Sequence, residues 1–210
     1  MLEEELHGQQ VLFAETDLVE SAIAEALTSL ERWTATGAGV HAFFDADYPS
    51  QLRSIHQMPP ILFTKGTLAE DTRAIAVVGT RQASEQGLRT ASAMARDLAL
   101  AGVTVVSGLA KGIDAAAHRA ALEAGGRTVA VIGTGIDQSY PAENRALQRQ
   151  ISRDGLLLSQ FWPDAPPSRR NFPMRNAVMS GYEHQRTAGG TSVACSTVSP
   201  GCLRGTSLTG

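Results

Sequence analysis

Two rhythms of apolar residues alternate along this chain. Short unbroken runs occur at Ala74-Ile75-Ala76-Val77-Val78, Val103-Thr104-Val105-Val106, Thr128-Val129-Ala130-Val131-Ile132 and Leu156-Leu157-Leu158-Ser159. Between them, apolar residues recur every three or four positions. Leu88, Ala91, Ala95 and Leu98, with Ser84 as N-cap and Gly102 as stop, predict a helix over Glu85–Leu100. A second helix is expected from Asp114 to Gly125-Gly126 and a third from Ala142 to Asp154. An unbroken apolar run suits a strand covered on both faces. Strands alternating with helices of this length imply parallel pairing through right-handed crossovers, an α/β sheet.

Upstream the pattern is sparser. Leu18, Val19, Ala22, Ile23, Ala26, Leu27 and Leu30 predict an amphipathic helix from Thr16 to Trp33, capped by Thr16 or Asp17. Its packing partner stays open between the sheet and a helical module of its own. A strand is expected at Val40–Phe44, a short helix carrying Leu52 and Ile55, and a strand at Ile61–Thr64 after Pro59-Pro60. After Trp162 come a proline-rich basic connector, Asn171-Phe172-Pro173-Met174-Arg175-Asn176, and an apolar turn ending at Gly181. From Tyr182 onward glycine, serine and threonine dominate and no hydrophobic period survives. The expected organisation is an N-terminal helical segment (1–39), a sheet domain (40–181) and a disordered tail (182–210).

Composition narrows the chemistry. The 210 residues carry a net charge of −3, so an anionic partner has to be met by a local basic patch. No apolar run approaches the roughly 18 residues that span a bilayer, and the start Met1-Leu2-Glu3-Glu4-Glu5 is acidic where a secretory leader is basic. The expectation is a cytoplasmic protein without membrane contact. Cys195 and Cys202 are too few for a disulfide framework or a four-ligand zinc site, so no metal or cofactor is expected.

Three turns should open on one sheet edge, the place where open α/β sheets bind ligands. The first reads Gly79-Thr80-Arg81-Gln82-Ala83-Ser84, a glycine followed by a bidentate phosphate donor. Arg81 stands at the second glycine position of a dinucleotide fingerprint and Ser107, not an acid, closes the second strand, which argues against NAD or FAD. Lys111 is followed by Gly112, so Walker A spacing is absent too. The second turn, Ser107-Gly108-Leu109-Ala110-Lys111-Gly112, offers an anion-binding nest with a cation at its lip. Asp114 is expected to cap its helix. Asp114 and His118 stand at i and i+4, either as an acid/base pair or as a helix-stabilising hydrogen bond, and no nucleophile accompanies them. Tyr140-Pro141-Ala142-Glu143-Asn144 either shapes its turn or meets ligand. Arg169, Arg170 and Arg175 around Phe172 suit a nucleic-acid strand, cations on phosphates and the ring on a base.

The series VVGTRQAS, SGLAKGIDAAAH, GTGIDQSYPAEN and NFPMRN, in this order, closely resembles the DNA-processing protein A (DprA, or Smf) family. Asp47-Tyr48-Pro49 with Leu52, and Pro59-Pro60-Ile61-Leu62-Phe63 with Gly66, resemble that family's lead-in, so the likeness covers Asp45 to Gly181. It implies an extended Rossmann-like, doubly wound, mostly parallel sheet that binds single-stranded DNA and loads the RecA recombinase on it during natural transformation, as a homodimer and not as an enzyme. By matching positions, Arg81, Lys111 and Arg175 are the candidates, with Phe172 as a stacking residue; with the turn residues around them the expected DNA- or phosphate-binding set is Gly79, Arg81, Ser84, Ser107, Gly108, Lys111, Gly112, Phe172, Arg175 and Asn176. Ala177 stands where the family usually has a second arginine, and Gln160 where it usually has an acid after the fourth strand's serine. The family also continues into further strands beyond Gly181, which suggests a truncated or frame-shifted product whose dimer and recombinase surfaces carry over only in part. The alternatives are a nucleotide-binding or nucleotide-cleaving Rossmann-like enzyme and an inactive remnant.

Overall fold

A computed structural model describes residues 2–183, with side chains from residue 18 onward; the sequence-predicted tail from residue 184 lies outside the described residues. The chain divides into two units between Val40 and His41. The first contains α1 (Leu2–Ala35), which passes straight through Thr16 and Asp17 instead of starting there. The stretch before Thr16 is rich in Glu, Gln and Leu, good helix formers that carry no apolar period to announce themselves. Leu18, Val19, Ile23 and Leu27 are exposed along it.

The second unit is a layered α/β domain. Its elements follow the order β1 (Gly39–Ala42), a 3-10 turn at Ser50–Ser54, β2 (Ile61–Gly66), β3 (Ala74–Ala76), α2 (Glu85–Leu100), β4 (Thr104–Ser107), α3 (Ile113–Glu123), β5 (Thr128–Val131), a 3-10 turn at Ala142–Asn144, α4 (Arg145–Asp154), β6 (Leu156–Ser159) and α5 (Asn171–Tyr182). The sheet runs β1-β2-β6-β5-β4-β3. The four strands read as unbroken apolar runs pair in parallel, with Val105 opposite Thr128 and Val129 opposite Leu156, while β2 joins β6 antiparallel through Phe63 and Ser159. The parallel pairing is what the alternation implied, and the mostly parallel, doubly wound α/β sheet is what the resemblance implied.

Because side chains alternate across a strand, each buried run serves two cores. Val106, Val129, Val131, Leu156 and Leu158 pack on Leu52, Val178, Met179 and Tyr182. Val77 and Val105 pack on Ala91, Ala95, Ala117 and Ala121 of α2 and α3. Those alanines let the two helices approach closely. Ser84 caps α2 as its sequence promised, its Oγ accepting from the Gly87 amide at 3.1 Å.

Two differences matter for the site. The segment read as an apolar turn is the helix α5: Pro173 falls in its first turn, where the missing N–H has no intrahelical role. Tyr182 and Glu183, assigned by composition to the tail, belong to the domain. Tyr182 is fully buried and donates to Asp71 Oδ2 at 2.7 Å, and the Glu183 carboxylate accepts from the Ala76 amide at 2.6 Å.

Candidate nucleic-acid interface

The carboxyl ends of β3, β4 and β5 and the first turn of α5 converge on one small cleft. It is lined by Arg81 from the first turn, Gly108, Ala110 and Lys111 from the second, Gly133, Thr134, Tyr140 and Pro141 from the third, and Phe172 and Arg175 from α5. A wider groove on α2 is lined by that helix alone and holds none of these cations.

Close backbone approach brings the turns together. Gly112 has φ +79, and a Cβ there would collide with the Thr80 carbonyl, so the second turn lies against the first. A Cβ on Gly108 would overlap the Arg175 guanidinium; only glycine lets that arginine enter beneath the turn. Between them Leu109 is buried with φ +56, a conformation that costs a branched residue on the order of 1–3 kcal/mol and that recurs at functional sites. Asn144 ties the turn down from the third loop, donating from Nδ2 to the Leu109 carbonyl at 2.9 Å and the Ala110 carbonyl at 3.2 Å.

The aromatic and cationic groups form a stack. The Arg81 guanidinium lies over the Phe172 ring, 5.1 Å from its centroid, and Tyr140 sits 6.0 Å from Phe172 on another side. Gly133 packs beneath, a Cβ there coming within 3.1 Å of the ring. Arg81 is exposed and Tyr140 is 42% exposed, so both side chains can be reached from solvent.

Arg175 is the unusual member. Only 5% exposed, it donates from Nη1 to the Val131 carbonyl at 2.9 Å, while its Nε has no partner among the described residues. Burial lowers its pKa, Asp114 offsets part of that and Arg81 adds to it. Asp114 in turn is buried. Burial raises its pKa, against the opposing pull of Arg175 and of amides at Ala110, Gly79 and Gly108. It does not cap α3, whose N-cap is Gly112; it reaches back to the second turn, accepting from the Ala110 amide at 3.3 Å. The amides expected to cradle a phosphate are therefore turned toward an internal carboxylate.

His118 forms neither the acid/base pair nor the helix bond weighed for it. The Thr128 hydroxyl donates to the Val105 carbonyl, so the His118 ring donates from Nδ1 to Thr128 Oγ1 at 2.7 Å. Its Nε2 is buried without a partner among the described residues, and burial together with the nearby Arg175 lowers its pKa to about 3. It is a neutral core imidazole.

Of the ten sequence-predicted positions, Arg81, Gly108, Lys111, Phe172 and Arg175 line the cleft. Gly79, Ser84, Ser107, Gly112 and Asn176 do not. Ser107 is fully buried and donates to the Val77 carbonyl at 2.6 Å, stitching β4 to β3, and Gly79 lies under Ile113, whose side chain fills the space a Cβ would need. Ser84 is engaged in its cap, and Arg169, Arg170 and Asn176 point to solvent off the cleft. The sequence offered no direct signal for Glu143 as a partner of Lys111. They form an ion pair, both side chains more than half exposed, and Lys111 holds the Glu143 carboxyl below its ordinary pKa. Gln160, in place of the family's usual acid, leaves its Nε2 unpartnered among the described residues. Among those residues no cluster of His, Cys, Asp and Glu gathers as a metal site requires, and no helix is long and apolar enough to cross a membrane.

The linked motifs that build this rim are matched by a family model. Residues 39–187 fit the model of DNA recombination-mediator protein A. The chain belongs to that family. It is 44% identical over 141 residues to DNA processing protein DprA of Streptococcus pneumoniae, covering 67% of this chain and 50% of that one. It is 42% identical over 142 residues to protein Smf of Synechocystis, covering 65% and 36%. The chain thus spans half or less of the length of these relatives. Among solved structures it is similar to DNA processing protein A of Streptococcus pneumoniae, at a TM-score of 0.64, 42% identity and 69% and 51% coverage. It is also similar to DNA processing protein A of Helicobacter pylori, whose structure describes a single-stranded DNA binding mode, at a TM-score of 0.62, 26% identity and 70% and 66% coverage. The family's fold is the Rossmann-like sheet seen here.

Proposed function

We propose that this domain binds the sugar-phosphate backbone of single-stranded DNA at the cleft, and that it serves RecA loading in DNA uptake as a cytoplasmic, non-enzymatic mediator. The observation that carries this is the gathering of Arg81, Lys111 and Arg175 with the Tyr140–Phe172 pair around one cleft. Phosphates would meet the cations, and a base would lie on the exposed side chains of Arg81 and Tyr140. Such contacts bring little sequence preference.

Cleft size bears on the alternative of a nucleotide-cleaving enzyme. The cleft holds about 60 Å³, whereas sites that enclose small-molecule ligands run to roughly 300–1,000 Å³. The cleft is thus smaller than a site that would enclose a whole nucleotide. The buried Asp114 has its carboxylate turned to backbone amides of the turns, which also weighs against its acting in hydrolysis.

Binding of labelled oligothymidylate at rising salt tests the reading. Affinity should fall steeply with salt, and Arg81→Ala and Lys111→Ala should each weaken it about tenfold and flatten the salt slope by about 0.7. Tight mononucleotide binding without oligonucleotide binding would favour the enzyme. The homodimer and RecA contacts belong to the same proposal; sedimentation and RecA filament assembly on coated single strands read them separately.

A further inference from the structure

α4 presents a second run of positive charge. Arg145, Arg149 and Arg153 stand at i, i+4 and i+8, and all three are exposed. Leu147, Gln148 and Ile151 bury the opposite face, so the arginines make no contribution to the core. Among the described residues no carboxylate stands within ion-pair distance of any of them. The only acid in the helix is Asp154, at its far end.

The position of the run gives it meaning. Asn144, immediately before Arg145, is the residue that pins the second turn through the Leu109 and Ala110 carbonyls. Lys111 follows Ala110, and its partner Glu143 precedes Asn144, so α4 begins at the mouth of the cleft. As the crossover helix that leads into parallel β6, α4 runs antiparallel to the strands, away from that rim. Four helical residues rise about 6 Å, so three guanidiniums descend from the cleft in steps commensurate with successive phosphates of an extended strand. Drifting about 40° per step round the axis, they follow one gently winding face.

We infer that the arginine face of α4 is the continuation of the nucleic-acid path: a strand held at the cleft by Arg81, Lys111 and Arg175 runs down α4 and places further phosphates on Arg145, Arg149 and Arg153. This rests on the proposed DNA-binding reading and lengthens its footprint. The contacts are to backbone only, because no aromatic ring stands in the run, so they add affinity and salt dependence without base preference.

The test compares oligothymidylates of about 6 and about 25 nucleotides, the shorter filling a single site and the longer reaching beyond it. The triple variant Arg145→Gln, Arg149→Gln, Arg153→Gln should bind the shorter one within twofold of the unchanged protein. It should bind the longer one at least tenfold more weakly, with a salt slope flatter by about 2 for three lost phosphate contacts. Equal loss on both lengths, or none on either, overturns the path along α4 while leaving the cleft intact. Failure of the unchanged protein to bind either length overturns the cleft reading itself and the path with it.

Discussion

Arg127 and Arg175 stand at opposite ends of the same sheet and are treated in opposite ways. Arg127, just before β5, donates from Nε to Asp71 Oδ1 at 2.6 Å, and from Nη2 to Asp71 Oδ2 at 3.1 Å and the Thr67 carbonyl at 2.9 Å. Asp71 also accepts from Thr104 Oγ1 and the Tyr182 hydroxyl, each at 2.7 Å. Burial pushes the Asp71 carboxyl up, but these hydrogen bonds outweigh it and hold its pKa below the ordinary value. Arg175, more deeply buried, has one carbonyl and a bare Nε. Arg127 thus makes three hydrogen bonds to two partners, one of them a carboxylate that is itself fully bonded, whereas Arg175 makes one to a carbonyl and is offset only in part by Asp114. At the amino end of the sheet charge holds the structure together, and in the proposed reading the cations at the carboxyl end serve a ligand instead.

The largest effect should come from breaking the satisfied end. Asp71→Ala strands a half-buried guanidinium, the Tyr182 hydroxyl and the Thr104 hydroxyl at once, and removing one partner of a buried pair costs about 3–5 kcal/mol. Urea unfolding should show that loss, while oligonucleotide affinity of the folded fraction is unchanged. A loss below about 1 kcal/mol would place the pair with ordinary surface bridges and dissolve the contrast. The same network ties α5 to the sheet, the Tyr182 hydroxyl anchoring its last residue to Asp71.

Arg175→Met sharpens the other side. Arg175→Met leaves the Val131 carbonyl without its donor and the buried Asp114 without the cation that offsets it, so a loss of about 1–3 kcal/mol is expected, smaller than at Asp71. Oligothymidylate affinity should fall at least tenfold, about 1.4 kcal/mol, because a cation leaves the cleft. Destabilisation comparable to Asp71→Ala would show that Arg175 is structural and that the two ends of the sheet do not differ in kind.

Fold and site were legible to different depths, for physical reasons. α2 over Glu85–Leu100 and β6 over Leu156–Ser159 carry their period and their stops in the local sequence, so their bounds are readable to the residue. α5 hid behind Pro173 and Gly181, residues that usually break helices yet here fall in its first turn and near its last. At the rim, strand-end glycines and cations announced which loops meet. They could not announce direction. Ser107 and Gly79 sit in the right turns but face inward, and the nest amides face Asp114, because burial of that acid is settled by tertiary packing around α3. Nor does spacing reveal that Glu143, 32 positions from Lys111, would close on it.

That last pair refines the contrast, since the rim is not wholly unpaired. Lys111 and Glu143 are both more than half exposed, so their bridge contributes little to folding, and water and salt compete for each end. At the rim, however, Glu143 holds the ammonium that a phosphate would take in the proposed reading, and strand binding there would have to displace it. Glu143→Gln should therefore strengthen oligothymidylate binding about two- to fivefold, the range that exposed pairs span, with no change in the unfolding midpoint. In the Lys111→Ala background the same substitution should do less, because the cation it unmasks is gone; a double-mutant cycle reads this directly. Acid should not mimic the substitution near neutrality. Lys111 holds the Glu143 pKa below the ordinary carboxylate value, so its charge persists until the solution is more acidic than that. Weaker binding in Glu143→Gln would mean that the carboxylate positions Lys111 for the phosphate instead of competing with it. The rim would then resemble the Asp71 end, with its cation organised by a partner.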